Sequence, residues 1–260
     1  VAIIGVGMMG GSLGLSLRAR GLARAVVGID LRADILKRAR EMQAIDHGVM
    51  KVEDGVQGAD CVVVAAPVGV IVPLLERIAP YVGPETLVTD LGSVKTPIVA
   101  AGERLYGARF VGGHPMAGSE RSGVDASMPG LFVGAAWAIV RAARFTLNND
   151  LPARRIAALA EALGARTIAL DAAQHDRIAA LVSHLPHLLS FTYAQAVGAD
   201  PEAELARTMA GGSYRDLMRV SAADADLWRD IFRCNREFLR DAITAYEAEL
   251  QMLKRRYDLE

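Results

Sequence analysis

At 260 residues, 52% hydrophobic and 23% charged, the chain has globular composition and length for one large domain or two ordinary ones. A formal net charge of −1 excludes the basic footprint of a nucleic-acid or anionic-membrane binder. Cys61 and Cys234 stand far apart with no CxxC spacing, so no metal site is expected and a reducing cytoplasm is the simplest compartment.

The chain opens on "VAIIGV" (1–6), which reads as a buried strand, not as a signal peptide. It runs into Gly5-x-Gly7-x-x-Gly10, with Met8 and Met9 inside the turn and a helical pattern over 10–20. Such a turn demands glycine for three separate reasons: the tight bend, backbone approach to a pyrophosphate, and close helix–strand packing. The phosphates would then meet a helix N-terminus, whose amides and dipole favour an anion. A second strand, "AVVGID" (25–30), ends in Asp30, twenty residues past Gly10. That carboxylate suits an adenosine ribose and repels a 2′-phosphate, so NAD is expected over NADP, with Arg32 able to soften the preference.

Further strands are expected at "CVVVAAP" (61–67) and "TLVTDL" (86–91), alternating with helical patterns over 32–43 and 69–79. Ala66 and Pro67 close the first of these strands, and Ser93 and Lys95 follow the second. In an open parallel sheet ligands bind at those carboxyl ends. Lys95 reads as a helix-capping residue; for Ser93, capping and function are equally open. After a strand at "RFVGG" (109–113), the segment "VGGHPMAGSERSG" (111–123) shows no hydrophobic period, so it is either a surface loop or a presentation of His114. Position at a strand end favours presentation, and neutral imidazole, with an ordinary pKa of about 6.5, suits a proton acceptor beside a hydride transfer. Ser93 could orient the same hydroxyl.

Strands at "AAWAIV" (135–140) and "RTIAL" (166–170) flank a helix over 153–163, and 141–155 is the most linker-like stretch. No strand pattern follows residue 171; helices are expected over 172–197, 202–210 and roughly 224–255. The last carries an apolar stripe that a second copy of the chain is expected to bury. No apolar run approaches the ~20 residues of a membrane helix. His184 and His187 lie three apart, one expected to face a cleft. Arg215 and Arg219 lie four apart after Gly211-Gly212 and would share a helix face that invites carboxylates, or a solvated face paired to Asp216 or Glu120. Arg229, Arg233, Arg236 and Arg240 read as ordinary exposed charge. The expected fold is therefore α/β: an N-terminal Rossmann-type doubly wound, mostly parallel sheet (1–171), then an all-α dimerisation and substrate domain (172–260).

Taken together, "GVGMMGGSLGLSL", "DLGSVK", "GGHPMAGSERSGV", "HDRIAALVSHLPH" and "GGSYRDLMRVSAADADLWRDIFRCN" resemble the prephenate/arogenate dehydrogenase family of tyrosine, and so aromatic amino acid, biosynthesis. The resemblance spans nearly the whole chain and implies a homodimeric oxidoreductase that oxidatively decarboxylates a cyclohexadienol with NAD(P). It implies His114 as the catalytic histidine on the ring hydroxyl, with Ser93 beside it. It further implies Arg219 on the ring carboxylate, Arg215 as a second cation, and Glu120 paired to a substrate-site arginine. His187 would lie near the substrate side chain, and Trp228 would reach the partner subunit's site. Ser119 and Gly212, in the same segments, complete the expected substrate set. The regulatory ACT and chorismate mutase modules of some relatives are expected to be absent. The function expected is NAD-dependent prephenate dehydrogenase. Alternatives are an arogenate or dual-specificity cyclohexadienyl dehydrogenase, a hydroxyacid or imine reductase on the same plan, or a non-catalytic NAD-binding sensor.

Overall fold

The computed structural model describes residues 1–118 and 121–259. The chain divides into two compact units, Val1–His175 and Asp176–Glu260.

The first unit holds β1 (Ala2–Ile4), α1 (Met8–Ala19), β2 (Val27–Ile29), α2 (Ala33–Glu41), β3 (His47–Val49), α3 (Val52–Gly55), β4 (Cys61–Val64) and α4 (Val68–Ile78). It continues through β5 (Leu87–Asp90), α5 (Thr96–Tyr106), β6 (Phe110–Pro115), β7 (Ala136–Arg141), α6 (Leu151–Ala162) and β8 (Arg166–Asp171). The strands form one sheet of order β3-β2-β1-β4-β5-β6-β7-β8, parallel except for the antiparallel β6–β7 pair. Every residue of β1 and β4 is buried, the pattern of strands covered on both faces. Ile3, Leu13, Leu17, Val63, Ile139 and Leu163 belong to one continuous core. The strand order reverses between β1 and β4, so their carboxyl ends frame the crevice where such sheets take ligands.

Seven of these strands match the expected runs. The eighth, β3, is a three-residue edge strand, His-Gly-Val, too short and too polar to show a period. β6 runs through His114 and Pro115, where a loop was one expectation. Gly112 and Gly113 lie inside the expected run 109–113, and the strand extends two residues beyond it. A Cβ on Gly112 would lie 2.7 Å from Val99 Cγ2, and one on Gly113 2.6 Å from the Asp90 carbonyl oxygen. Close packing, not loop flexibility, explains this glycine pair.

Helix α7 (Ala172–Ala179) carries the division between the units inside it, a few residues past the expected boundary at 171. A π-helical turn follows at Ala180–His184, then α8 (Leu185–Gly198), α9 (Ala203–Thr208), α10 (Gly212–Ser221), α11 (Ala225–Cys234) and α12 (Arg236–Arg256). Pro186, in the first turn of α8, lacks an amide donor, which accounts for the widened turn before it. The single long helix expected over 224–255 is broken at Asn235. Its side chain is buried and donates to the Asp176 carbonyl, with Nδ2 2.8 Å away, and lies 3.0 Å from His184 Nδ1. A polar side chain pinned inward takes its backbone out of helical register. Among the described residues no helix is long and apolar enough to cross a membrane.

Candidate active site

The glycine turn meets each demand of a dinucleotide cradle. Gly5 has φ +89°, and a Cβ there would lie 2.4 Å from the Ala65 carbonyl oxygen. A Cβ on Gly10 would lie 2.0 Å from the Gly5 carbonyl oxygen, so helix α1 rests directly on the turn. At Gly7, which caps α1, nothing stands within 4 Å of the missing side chain. The first turn of α1 contains no acidic residue, and Met8 and Met9 open it half-buried. An anion therefore has open backbone and a favourable dipole to approach.

Asp30 stands one residue beyond β2. Its Oδ2 accepts from the Val6 amide and its Oδ1 from the Arg32 amide, each at 3.1 Å. The carboxylate is thus tied to the glycine turn with lone pairs remaining for ribose hydroxyls. Arg32 forks onto Asp34 through Nε and Nη2 on the surface. Ala66 abuts the same turn, its amide nitrogen 3.3 Å from the position a Gly5 Cβ would take, and Pro67 caps α4. These residues fit a bound dinucleotide.

At the ends of β5 and β6 a buried network joins the residues around Ser93 and His114. Asp90 Oδ2 accepts from the Gly92 amide at 2.8 Å, and its Oδ1 accepts from the Gly113 amide at 3.3 Å. Lys95, expected as a helix-capping residue, stands at the N-cap of α5, but its side chain is fully buried, pairs with Asp90 and donates to the Gly113 carbonyl at 2.7 Å. Its four-carbon stem and charge are both consumed in fixing the peptide before His114. Ser93, half-buried, sits in the turn held on both sides by Gly92 and Lys95.

His114 is 8% exposed and pairs with Ala138 across β6–β7. Its Nδ1 lies 2.8 Å from Nε2 of His175, which is 3% exposed, with the rings at 61°. His175 sits in the first turn of α7. That turn is anchored by a reciprocal cap: the Gln174 amide donates to Asp171 Oδ1 at 2.8 Å, and the Asp171 amide to Gln174 Oε1 at 3.4 Å. Sequence reading gave His175 no role. A histidine pair 61 residues apart leaves no spacing signal, although His175 stands inside one of the segments that carried the resemblance.

In the second unit Gly212 opens α10, and Arg215 and Arg219 lie exposed four residues apart on it. Neither pairs with Asp216 or with any other described carboxylate. His187 stacks on Trp228, centroids 3.6 Å apart and planes at 18°, and its Nδ1 donates to the Ser183 carbonyl at 2.9 Å. Burial pushes the His187 imidazole below its ordinary pKa, against the weaker pull of the Ser183 carbonyl. Trp228 is buried with its face on that ring. His184 is fully buried against Asn235 and acts as a core histidine. Ser119 and Glu120 lie outside the described residues.

Arg229, Arg233, Arg236 and Arg240 are exposed, as expected, and the first three line a groove of about 940 Å³ together with Leu188, Phe191 and Phe232. No metal-binding cluster occurs among the described residues. Neither cysteine is poised as a nucleophile: burial pushes the Cys61 thiol up to about 12 and raises Cys234 as well.

The family model described as "Prephenate dehydrogenase, nucleotide-binding domain" matches residues 13–169, and "Prephenate dehydrogenase, dimerization domain" matches 171–257. The chain is 33% identical over 255 residues to a prephenate dehydrogenase of Lactococcus lactis subsp. cremoris, covering 96% of this chain and 69% of that protein. It is 30% identical over 260 residues to a cyclohexadienyl dehydrogenase of Zymomonas mobilis, covering 98% and 87%. Among solved structures it is similar to the prephenate dehydrogenase of A. aeolicus in complex with hydroxyphenyl propionate and NAD+. The TM-score is 0.88 and the identity 32%, covering 98% of this chain and 88% of that one.

Proposed function

The chain belongs to the prephenate dehydrogenase family, and from that premise we propose that it is an NAD-dependent prephenate dehydrogenase, homodimeric and cytoplasmic. It converts prephenate and NAD+ to 4-hydroxyphenylpyruvate, CO2 and NADH. The observation that carries the mechanism is a buried imidazole at the end of β6, held by a second imidazole at Nδ1, in the sheet that bears the glycine turn.

NAD, when bound, accepts a hydride from the ring carbon that bears the hydroxyl. The glycine turn and α1 would hold its pyrophosphate, and Asp30 would take the adenosine ribose. Ser93 orients the substrate hydroxyl. His114 removes the hydroxyl proton at Nε2, so the oxygen's electrons form the carbonyl as the hydride departs. The quaternary carboxylate then leaves as CO2, its electron pair enters the ring, and aromatisation makes the step one-way. Arg219, with Arg215 beside it, binds the ring carboxylate before it leaves. The exposure of Arg219 suits that task, because a dry guanidinium would hold the carboxylate too strongly to release it. Neutral His187 serves the substrate side chain, Glu120 pairs with a substrate-site arginine, Trp228 reaches the partner subunit's site, and Ser119 and Gly212 complete the substrate set.

The second reading, arogenate or dual specificity, is favoured by the likeness to a cyclohexadienyl dehydrogenase. One assay separates the two: NADH formation followed with prephenate and with arogenate, each with NAD and with NADP. Turnover of prephenate with NAD is expected to dominate. Preference for arogenate overturns the substrate, and no turnover of either overturns the enzyme.

A further inference from the structure

We infer that His175 is a positioning residue that sets the tautomer of His114: its Nε2 accepts the Nδ1 proton of His114, so that the His114 Nε2 is unprotonated when substrate arrives. The inference rests on the reading of His114 as proton acceptor and goes beyond it to another residue.

The 2.8 Å contact joins two ring nitrogens, so one of them must carry the shared proton and the other must accept it. The two arrangements have opposite consequences. If His175 donated, His114 would be protonated at Nε2 and could take no proton from a hydroxyl. If His114 donates, its Nε2 holds the lone pair that a general base needs. A free neutral imidazole prefers the Nε2–H form, so an unassisted His114 would rest mostly in the wrong tautomer. An acceptor fixed at Nδ1 reverses that preference, as a buried carboxylate does in serine proteases.

His175 is built as an acceptor. At 3% exposure it has little water to support a positive charge. It also sits in the first turn of α7, where the helix dipole disfavours a cation. Both effects favour the neutral ring. The Asp171–Gln174 cap fixes the start of that turn, and the Lys95–Asp90 network fixes the peptide before His114, so both partners are anchored through backbone. When His114 takes the substrate proton it becomes an imidazolium. Its Nδ1–H then remains bonded to a neutral acceptor, not to a second positive ring. The balance is simple: one O–H bond breaks, one N–H bond forms at Nε2, and the Nδ1 proton does not move.

The test is nitrogen-15 NMR of histidine-labelled protein above neutral pH, with the His114 signals identified by their loss in His114→Asn. His114 is expected to show a protonated Nδ1 and a bare Nε2; the reverse pattern in the wild-type protein overturns the inference. His175→Phe is expected to return His114 to the Nε2–H form and lower kcat about 10- to 100-fold, with the KM for NAD unchanged. In His175→Gln the side-chain oxygen can still accept from Nδ1, so the wild-type tautomer and most of kcat should return. A His175→Phe protein that keeps the Nδ1–H tautomer also overturns the inference. His114→Asn separates this outcome from failure of the underlying reading. Its expected loss in kcat is on the order of 10²–10⁴. Near-normal turnover there removes His114 as the base, whereas loss of turnover with a wild-type Nε2–H tautomer removes only the role of His175.

Discussion

Asp30, proposed to take the adenosine ribose, has both oxygens engaged by backbone amides, so its position depends on the turn it faces. Asp30→Ala would remove ribose hydrogen bonds and the charge that repels a 2′-phosphate, while the Arg32–Asp34 fork remains nearby. The ratio of kcat/KM for NAD to that for NADP should fall by about 10-fold or more, since a lost charged hydrogen bond is worth about 1.5–3 kcal/mol. An unchanged ratio would assign the choice elsewhere. His187 supports a second prediction. Burial holds its folded pKa below the ordinary value of about 6.5, so as pH falls past that value the unfolded chain takes a proton the fold refuses. The stability this residue contributes is full above about 6.5 and is lost as pH drops through the folded value. Because the ring stacks on Trp228, its protonation should quench tryptophan fluorescence. The quench should have a midpoint below about 6.5 and vanish in His187→Gln; a midpoint above that value would contradict the burial argument. The place of His114 near the end of a strand was legible at this scale because the apolar run before it ends there. His175 was not, because a contact across 61 residues is written in topology rather than in spacing.

Helix and strand boundaries were legible wherever a hydrophobic period ran unbroken, as in β4 and β5. They failed where a polar side chain turned inward or a strand ran on past its expected end. Asn235 interrupts 224–255 without a proline or glycine to announce it, and β6 continues through His114 and Pro115, past the expected end at 113. Lys95, read as a helix-capping residue, does stand at the N-cap of α5, but nothing in the sequence announced its burial. Its burial makes the β5–α5 connection and the end of β6 one mechanical unit through Asp90 and Gly113. Lys95→Met would leave the Asp90 carboxylate buried without its cation. Breaking a buried pair from one side costs about 3–5 kcal/mol, which should appear as a lower denaturant midpoint for the protein. Asp90→Asn with Lys95→Met should recover part of that loss, because the stranded charge is gone. A single variant as stable as wild type would show that the pair contributes nothing to holding the strand ends together.

The two-part organisation was visible as the end of strand patterns after residue 171, whereas the completeness of each part was not. Among the described residues the second unit buries few apolar side chains, Ala179, Ala180, Leu185, Trp228, Ile231, Leu239 and Ala242, with a few partly covered neighbours. On α12, Tyr246, Leu250 and Leu253 follow the spacing of one helical face and stay 38%, 41% and 45% exposed. A short helical unit with so little core gains stability by pairing its open stripe with a copy of itself, consistent with a match to a dimerisation domain over 171–257. Because folding and pairing are then linked, the melting temperature of the wild-type protein should rise with protein concentration. Leu250→Glu places a charge in the middle of that stripe, where burial against a second copy would desolvate it without a partner. The variant should sediment as a monomer, and its melting temperature should become independent of concentration. If it instead remains a dimer with wild-type stability, the α12 stripe is solvent-facing in the assembly and the pairing surface must be sought on the other helices.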